Sequence, residues 1–263
     1  MKNHDRVKGP EPKAEFITTA TTSRQSSFAL APFANAAEIL SMEQEGEASH
    51  INFMFAGDKK KLLPVHLYLS PTWSSDNLHY RSMLRRFLVN TFTPRRVLHA
   101  TLGRSSVDTA PIEDWLNLEL RPRHPQISIS ISHTSGMGGF AYCEKPFRIG
   151  IDIEKRKRLT PQIAARVGTP EDAHAAEPAH LWCAKEAAFK AASADFQVRV
   201  LSDLTVDHWE REGFGNVARF RAHLKSNPGA CIGNGLIWTL PEHVLAIFTI
   251  SPSTLVGTCR RDL

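Results

Sequence analysis

An α+β fold fits this sequence on two observations. Apolar residues alternate over several short runs, as strands with two unlike faces require, and two longer segments carry them at helical spacing. Strand-like runs at Ile51–Phe55 and Val65–Leu69 flank the charged stretch Gly57-Asp58-Lys59-Lys60-Lys61, the pattern of a hairpin connection. From Asp76 to about Phe92 the residues Leu78, Met83, Leu84, Phe87, Leu88 and Phe92 recur at helical spacing with Arg81, Arg85 and Arg86 between them. That segment reads as an amphipathic helix with a basic side. Thr93–Pro125 is irregular apart from a short helix around Ile112–Leu118, and it reads as a connection.

Three strands are expected next, at Gln126–Ser132, Gly139–Cys143 and Arg148–Glu154; the first alternates Ile127, Ile129 and Ile131 with serines. Helices follow at Pro161–Val167 and, with many alanines, at Pro178–Ala194. The last third returns to strands at Leu204–His208, Ala218–His223, Gly235–Leu240 and Val244–Ile250, the final two joined through Pro241-Glu242-His243. Met1–Ser27 has no apolar period and reads as a loose tail.

A chain of 263 residues can bury a full core, as one large domain or two smaller ones. Its 42% hydrophobic and 22% charged residues exclude a wholly disordered or collagen-like chain. No apolar run approaches the roughly 18 residues of a membrane span. The start, MKNHDRVKGPEPKAEF, lacks a secretory apolar stretch, so a cytoplasmic protein without a membrane partner is expected. Its 4 cysteines, at 143, 183, 231 and 259, are too scattered for a CxxC clamp and read as reduced thiols. The net charge of +5 favours an anionic partner without choosing one.

Chemistry concentrates in three places. In Ile149-Gly150-Ile151-Asp152-Ile153-Glu154, strand alternation sends the isoleucines one way and Gly150, Asp152 and Glu154 the other, with the carboxylates about 7 Å apart. Such a pair suits a hard divalent cation such as Mg²⁺; a half-exposed strand with solvated acids is the plainer alternative. In the helix Leu181-Trp182-Cys183-Ala184-Lys185-Glu186-Ala187-Ala188-Phe189-Lys190, the residues Trp182, Glu186 and Lys190 share one side. Glu186 and Lys190 read either as a surface pair or, if that side meets the acidic strand, as a third carboxylate and a phosphate-binding cation. Upstream, Ser130-Ile131-Ser132-His133-Thr134-Ser135-Gly136 ends a strand in hydroxyls and an imidazole; adjacent Ser132 and His133 point to opposite faces, which disfavours a hydrolytic nucleophile and base.

The order SISHTSG, IGIDIE, LWCAKEAAFKA resembles the 4'-phosphopantetheinyl transferase superfamily, and within it the Sfp-type members. Asp152, Glu154, Lys185, Glu186 and Lys190 stand at every charged position of the last two motifs, and Arg81-Ser82-Met83-Leu84-Arg85 resembles a helix of the family's N-terminal half. The resemblance covers roughly Asp76–Ile250. It implies two similar halves, each a small antiparallel sheet with a packed helix, and an active site in the cleft between them. The expected division is a tail at 1–27, an N-terminal half at 28–125 and a C-terminal half at 126–263 carrying the motifs.

The implied reaction is transfer of the phosphopantetheine arm of coenzyme A to a serine of an apo carrier protein, releasing 3',5'-ADP. By the same resemblance Asp152, Glu154 and Glu186 hold Mg²⁺, with Asp152, Glu186 and Lys190 catalytic. Glu186 is then the base, directly or through water, and Lys190 contacts the diphosphate. His133, Ser132, Arg81 and Arg85 bind the cofactor. An acidic carrier, no nucleic acid and a monomeric state are expected, with the run Lys155-Arg156-Lys157-Arg158 available to the carrier or merely a solvated turn. The sequence departs from the family at the Gly-Lys-Pro element, near which only Arg121-Pro122 or Arg123 stands. It also departs in the short Lys155–His180 segment, with Val167-Gly168-Thr169-Pro170-Glu171 in place of a Phe-centred helix end. Two other readings use the same residues: a Mg²⁺-dependent nuclease or phosphodiesterase, and a non-catalytic carrier-protein binder.

Overall fold

The computed structural model describes residues 38–45, 47–56, 62–92, 127–172, 175, 177–192, 196, 198–212 and 216–254. The expected tail at 1–27, the turn at 57–61, the short helix at 112–118 and the residues Arg121, Pro122 and Arg123 lie outside the described residues.

Strand alternation builds two five-stranded antiparallel sheets, an α+β fold with two sheet halves. The first contains β1 (Glu38–Glu45), β2 (Ala48–Ala56), β3 (Leu62–Ser70), β4 (Ile127–Thr134) and β5 (Met137–Glu144) in the order β1-β2-β3-β5-β4. The second contains β6 (Arg148–Lys155), β7 (Leu204–Glu212), β8 (Val217–Leu224), β9 (Asn227–Thr239) and β10 (His243–Ile250) in the order β6-β10-β9-β8-β7. The chain passes from one sheet to the other at 145–147, so β4 and β5, grouped from sequence with the C-terminal half, pair into the first sheet through β3, with Tyr68 opposite Phe140.

Each sheet uses both faces. Ile51, Phe53, Val65 and Leu67 of the first sheet meet Ile149, Ile151, Ile153, Leu245 and Ile247 of the second in a shared buried core. On the outer face of the first sheet, Tyr68, Phe140 and Tyr142 pack with Leu84, Leu88 and Phe92 of helix α1 (Tyr80–Phe92). On the outer face of the second, Val244, Ala246 and Phe248 pack with Cys183, Ala184, Ala187 and Ala188 of helix α3 (Pro178–Ala192), and the short helix α2 (Pro161–Ala165) adds Ala164. The layers therefore run helix, sheet, sheet, helix.

Two element ends differ most from the sequence expectation, for local reasons, and one whole strand lies outside it. Helix α1 begins at Tyr80 instead of Asp76, because Ser74 Oγ accepts from the Asp76 N–H and Asn77 Oδ1 from the His79 N–H, which holds 74–79 in turns. Strand β9 begins at Asn227, well before Gly235, its early part carrying Pro228 and Gly229 that mask a strand signal. Strand β1 has charged residues at Glu38, Glu43 and Glu45 and was not anticipated. Among the described residues, no helix is long and apolar enough to cross a membrane.

Candidate active site

The site lies where the sheets meet edge to edge. On β4 the serines of the Ile/Ser alternation face β6 and accept its backbone N–H groups: Ile149 to Ser128 Oγ (3.1 Å), Ile151 to Ser130 Oγ (3.0 Å) and Ile153 to Ser132 Oγ (3.1 Å). Three hydroxyls thus replace the strand that would otherwise satisfy this edge of β6. The Asp152 side of β6 faces α3. A Cβ on Gly150 would collide with the backbone carbonyl of Ala187, so only glycine lets helix and strand approach this closely. The space beside the acids is filled by α3.

That approach brings the acidic strand to the Glu186–Lys190 side of the helix. Lys190 Nζ donates to Asp152 Oδ1 (2.8 Å) and to the Ile151 carbonyl (3.0 Å), and Ser132 Oγ donates to the same Asp152 Oδ1 (2.9 Å). Asp152 is buried, and its Oδ2 has no hydrogen-bond partner. Glu154 Oε2 accepts from Thr134 Oγ1 (3.2 Å) and lies 3.6 Å from Arg158 Nη1. Burial, and next the Asp152 charge, push the carboxyls of both Glu154 and Glu186 above the usual range; Arg158 opposes the shift at Glu154 and Lys190 at Glu186. Burial works against the Lys190 ammonium, but the Asp152 carboxylate, with smaller contributions from Glu186 and Cys183, outweighs it in sum and the net shift is upward.

An orphaned, buried carboxylate oxygen beside two crowded carboxylates that hold their protons tightly is a donor set for a hard cation. Asp152, Glu154 and Glu186 do not converge to within 4.8 Å as a single group. Mg²⁺ usually keeps several waters and takes one or two carboxylates directly, so direct ligation by all three acids at once is not required of it.

The N-terminal end of α1 closes the other side. The turn at Ser135-Gly136 needs the φ of +84° that Gly136 adopts. Ser135 Oγ (2.8 Å) and the Gly136 N–H (3.0 Å) donate to Asp76 Oδ2, tying that turn to the loop before α1. Tyr80 is thereby set against His133, its hydroxyl 3.1 Å from Nε2 and accepting from Arg81 Nε (2.9 Å). Burial, then the Lys190 and Arg81 charges, lower the His133 imidazole. His133, Lys190 and Arg81 therefore form a side that favours an anion.

The structure brings Asp152, Glu154, Glu186, Lys190 and His133 into electrostatic contact, with Arg81 at the rim. Ser132 is buried, and its hydroxyl serves Asp152 and the Ile153 N–H instead of facing outward. Arg85 lies on α1, but its side chain is outside the described residues. Sequence reasoning missed Tyr80, whose only signal was a place beside Arg81 at a helix start. It also missed the destination of Lys185. That side chain is fully buried, 2.6 Å from Asp172 Oδ2, and donates to the Val167 (2.6 Å) and Leu204 (2.7 Å) carbonyls. It ties α3 to the 167–172 segment and to β7.

Fold and site together define a chain with a carboxylate- and lysine-lined seam suited to a metal and an anion. Residues 148–232, from β6 to within β9, match the family model described as ACPS, the 4'-phosphopantetheinyl transferase superfamily. A comparison with curated proteins finds no match.

Proposed function

We propose that this protein transfers the 4'-phosphopantetheine group of coenzyme A to a serine of an apo carrier protein, releasing 3',5'-ADP. The observation that carries the reading is Asp152: one oxygen is fixed by Lys190 and Ser132, while the other is buried without a partner beside Glu154 and Glu186. The family match over 148–232 spans all three acids and Lys190.

Asp152, Glu154 and Glu186 would hold Mg²⁺ through their oxygens. When bound, the ion neutralises charge that develops on the diphosphate oxygens during displacement at phosphorus. The chain's own groups do the rest. Lys190 spends two of its three N–H donors on Asp152 Oδ1 and the Ile151 carbonyl, which fixes its ammonium and leaves the third for a phosphate oxygen. Glu186 takes the proton of the incoming serine hydroxyl, directly or through a water. The serine oxygen then bonds to phosphorus as the bridging P–O bond breaks, and 3',5'-ADP leaves with that oxygen. His133 and Arg81 bind the cofactor's outer phosphate, and Tyr80 holds His133 toward it. Ser132 acts through Asp152. The cleft between the halves, a cytoplasmic location, a monomeric state and an Sfp-type subfamily belong to the same reading.

Mass spectrometry of apo carrier proteins incubated with the chain, coenzyme A and Mg²⁺ tests it. The expected result is the mass of one phosphopantetheine group gained on a serine, with none when a chelator is present. No gain on any of a panel of fatty-acid, polyketide and peptide carriers would overturn the proposal.

A further inference from the structure

The far edge of the second sheet holds a cluster that this reaction does not use. Strand β7 is the sheet's edge, and its pairing with β8 is irregular between Asp207 and Glu210, where His208 has a φ of 52°. In a regular strand, Asp207 and His208 would point to opposite faces. Here the bulge turns both to one spot. His208 Nδ1 lies 2.7 Å from Asp207 Oδ1, and His223 Nε2 of β8 lies 3.0 Å from the same oxygen. The pairing of β8 with β9 also shifts on both sides of His223, so two strands lose regularity at one place. A left-handed backbone is costly for a residue with a Cβ and persists where its surroundings impose it. His223 Nδ1 is buried without a hydrogen-bond partner, so the polar contact of this ring is toward Asp207.

We propose that Asp207, His208 and His223 form a binding site for a borderline divalent transition metal, with Zn²⁺ as the natural occupant. Their ligand atoms all lie within 4.8 Å of one another. Two imidazole nitrogens and one carboxylate oxygen are a common donor set for zinc, which holds such donors roughly 3.3 Å apart in a tetrahedron. The observed separations of 2.7 and 3.0 Å would open by roughly 0.6 and 0.3 Å to reach that spacing. His223 is 12% exposed and His208 51% exposed, which gives the site one packed wall and one side open to solvent for a fourth ligand. Mg²⁺ prefers oxygen donors alone, so donor type separates this site from the acidic seam. Because the ligands come from β7 and β8, the metal clips the edge strand to its neighbour. It stabilises the folded chain because the unfolded chain does not hold the three groups together.

Tag-free protein stripped with a chelator provides the test, with Zn²⁺ titrated by calorimetry and the melting temperature followed alongside. His208→Gly removes one ligand and also relieves the left-handed φ, so the metal-free variant should melt at or above the wild-type temperature. The expected result is one fewer zinc equivalent, or at least a tenfold weaker affinity, in His208→Gly and His223→Gln. The zinc-induced rise in melting temperature should be lost in both variants and retained in Asp152→Asn. Equal zinc stoichiometry and affinity in wild type and His208→Gly would overturn the site, as would a wild-type chain that takes up no zinc.

Discussion

At Asp152 the same few ångströms serve both folding and the proposed chemistry. Its Oδ1 is committed to Lys190 and Ser132, and the strain of the site falls on Glu154 and Glu186, which hold their protons more tightly in the folded chain than out of it. For such acids the folded state binds more protons than the unfolded state over a window that opens near the ordinary value of 4.5 and closes at the raised ones. Stability without metal is therefore highest below the window and falls as pH rises through it. Glu186→Gln removes one of the two groups. Urea unfolding in the presence of a chelator should show a flatter decline as pH rises above 4.5 and a variant more stable than wild type once both acids are ionised, while transfer activity falls by roughly 10²-fold or more. A variant that loses stability and activity together would make Glu186 a structural residue. Alternation along β6 made Asp152 and Glu154 readable as neighbours in the sequence. The fate of Lys185 was not readable, whereas Lys190 was expected beside the acids: both carry the same charge on one helix, yet Asp172 captures the first and Asp152 the second, through partners distant in sequence.

Strand β4 shows how an element can be recognised and its purpose still missed. Strict Ile/Ser alternation correctly indicated a strand with one apolar face, but a serine face looks the same whether it meets water or another backbone. Here it meets the N–H groups of β6, and each serine satisfies a donor that would otherwise be buried and unpaired. Ser130→Ala should therefore cost about 1–3 kcal/mol in chemical denaturation, the range for an orphaned buried donor. Turnover per folded molecule should change little, because Ser130 bonds only the Ile151 N–H among the contacts described above. Ser132→Ala removes an equivalent bond and also a donor to Asp152, so it should lower both stability and turnover. If the two variants lose activity to the same degree at equal folded fraction, the seam acts on the site as a whole and Ser132 has no separate part in placing Asp152. Strand β9 was only half legible for the opposite reason, since Pro228 and Gly229 carry no strand signal and fall in the register shift between the His223–Cys231 and Leu224–Asn227 pairs with β8.

At the scale of the molecule, the order of motifs suggested two halves, but the assignment of strands to sheets depends on partners far apart in the chain, such as β3 with β5, which local pattern does not encode. The completed layers put a basic strip beside the acidic seam. Within it Arg156 is bound to Glu177, Arg158 leans on Glu154 and Lys155 lies 4.0 Å from Glu242, while Lys157 is exposed. With a net charge of +5, the proposed acidic carrier would be drawn to this face over a distance set by salt. Raising ionic strength from about 0.05 to 0.3 M shortens the Debye length from roughly 14 to 6 Å, which weakens attraction between exposed charges. The Lys190–Asp152 pair is mostly shielded and is screened far less. Steady-state kinetics should accordingly show KM for the carrier rising several-fold over that range with kcat nearly constant. Lys157→Glu should raise KM at low salt and reduce its further rise, since the attraction being screened has already been partly removed. If kcat falls with salt while KM stays level, the salt-sensitive charges belong to the seam itself, and the carrier docks on some other face.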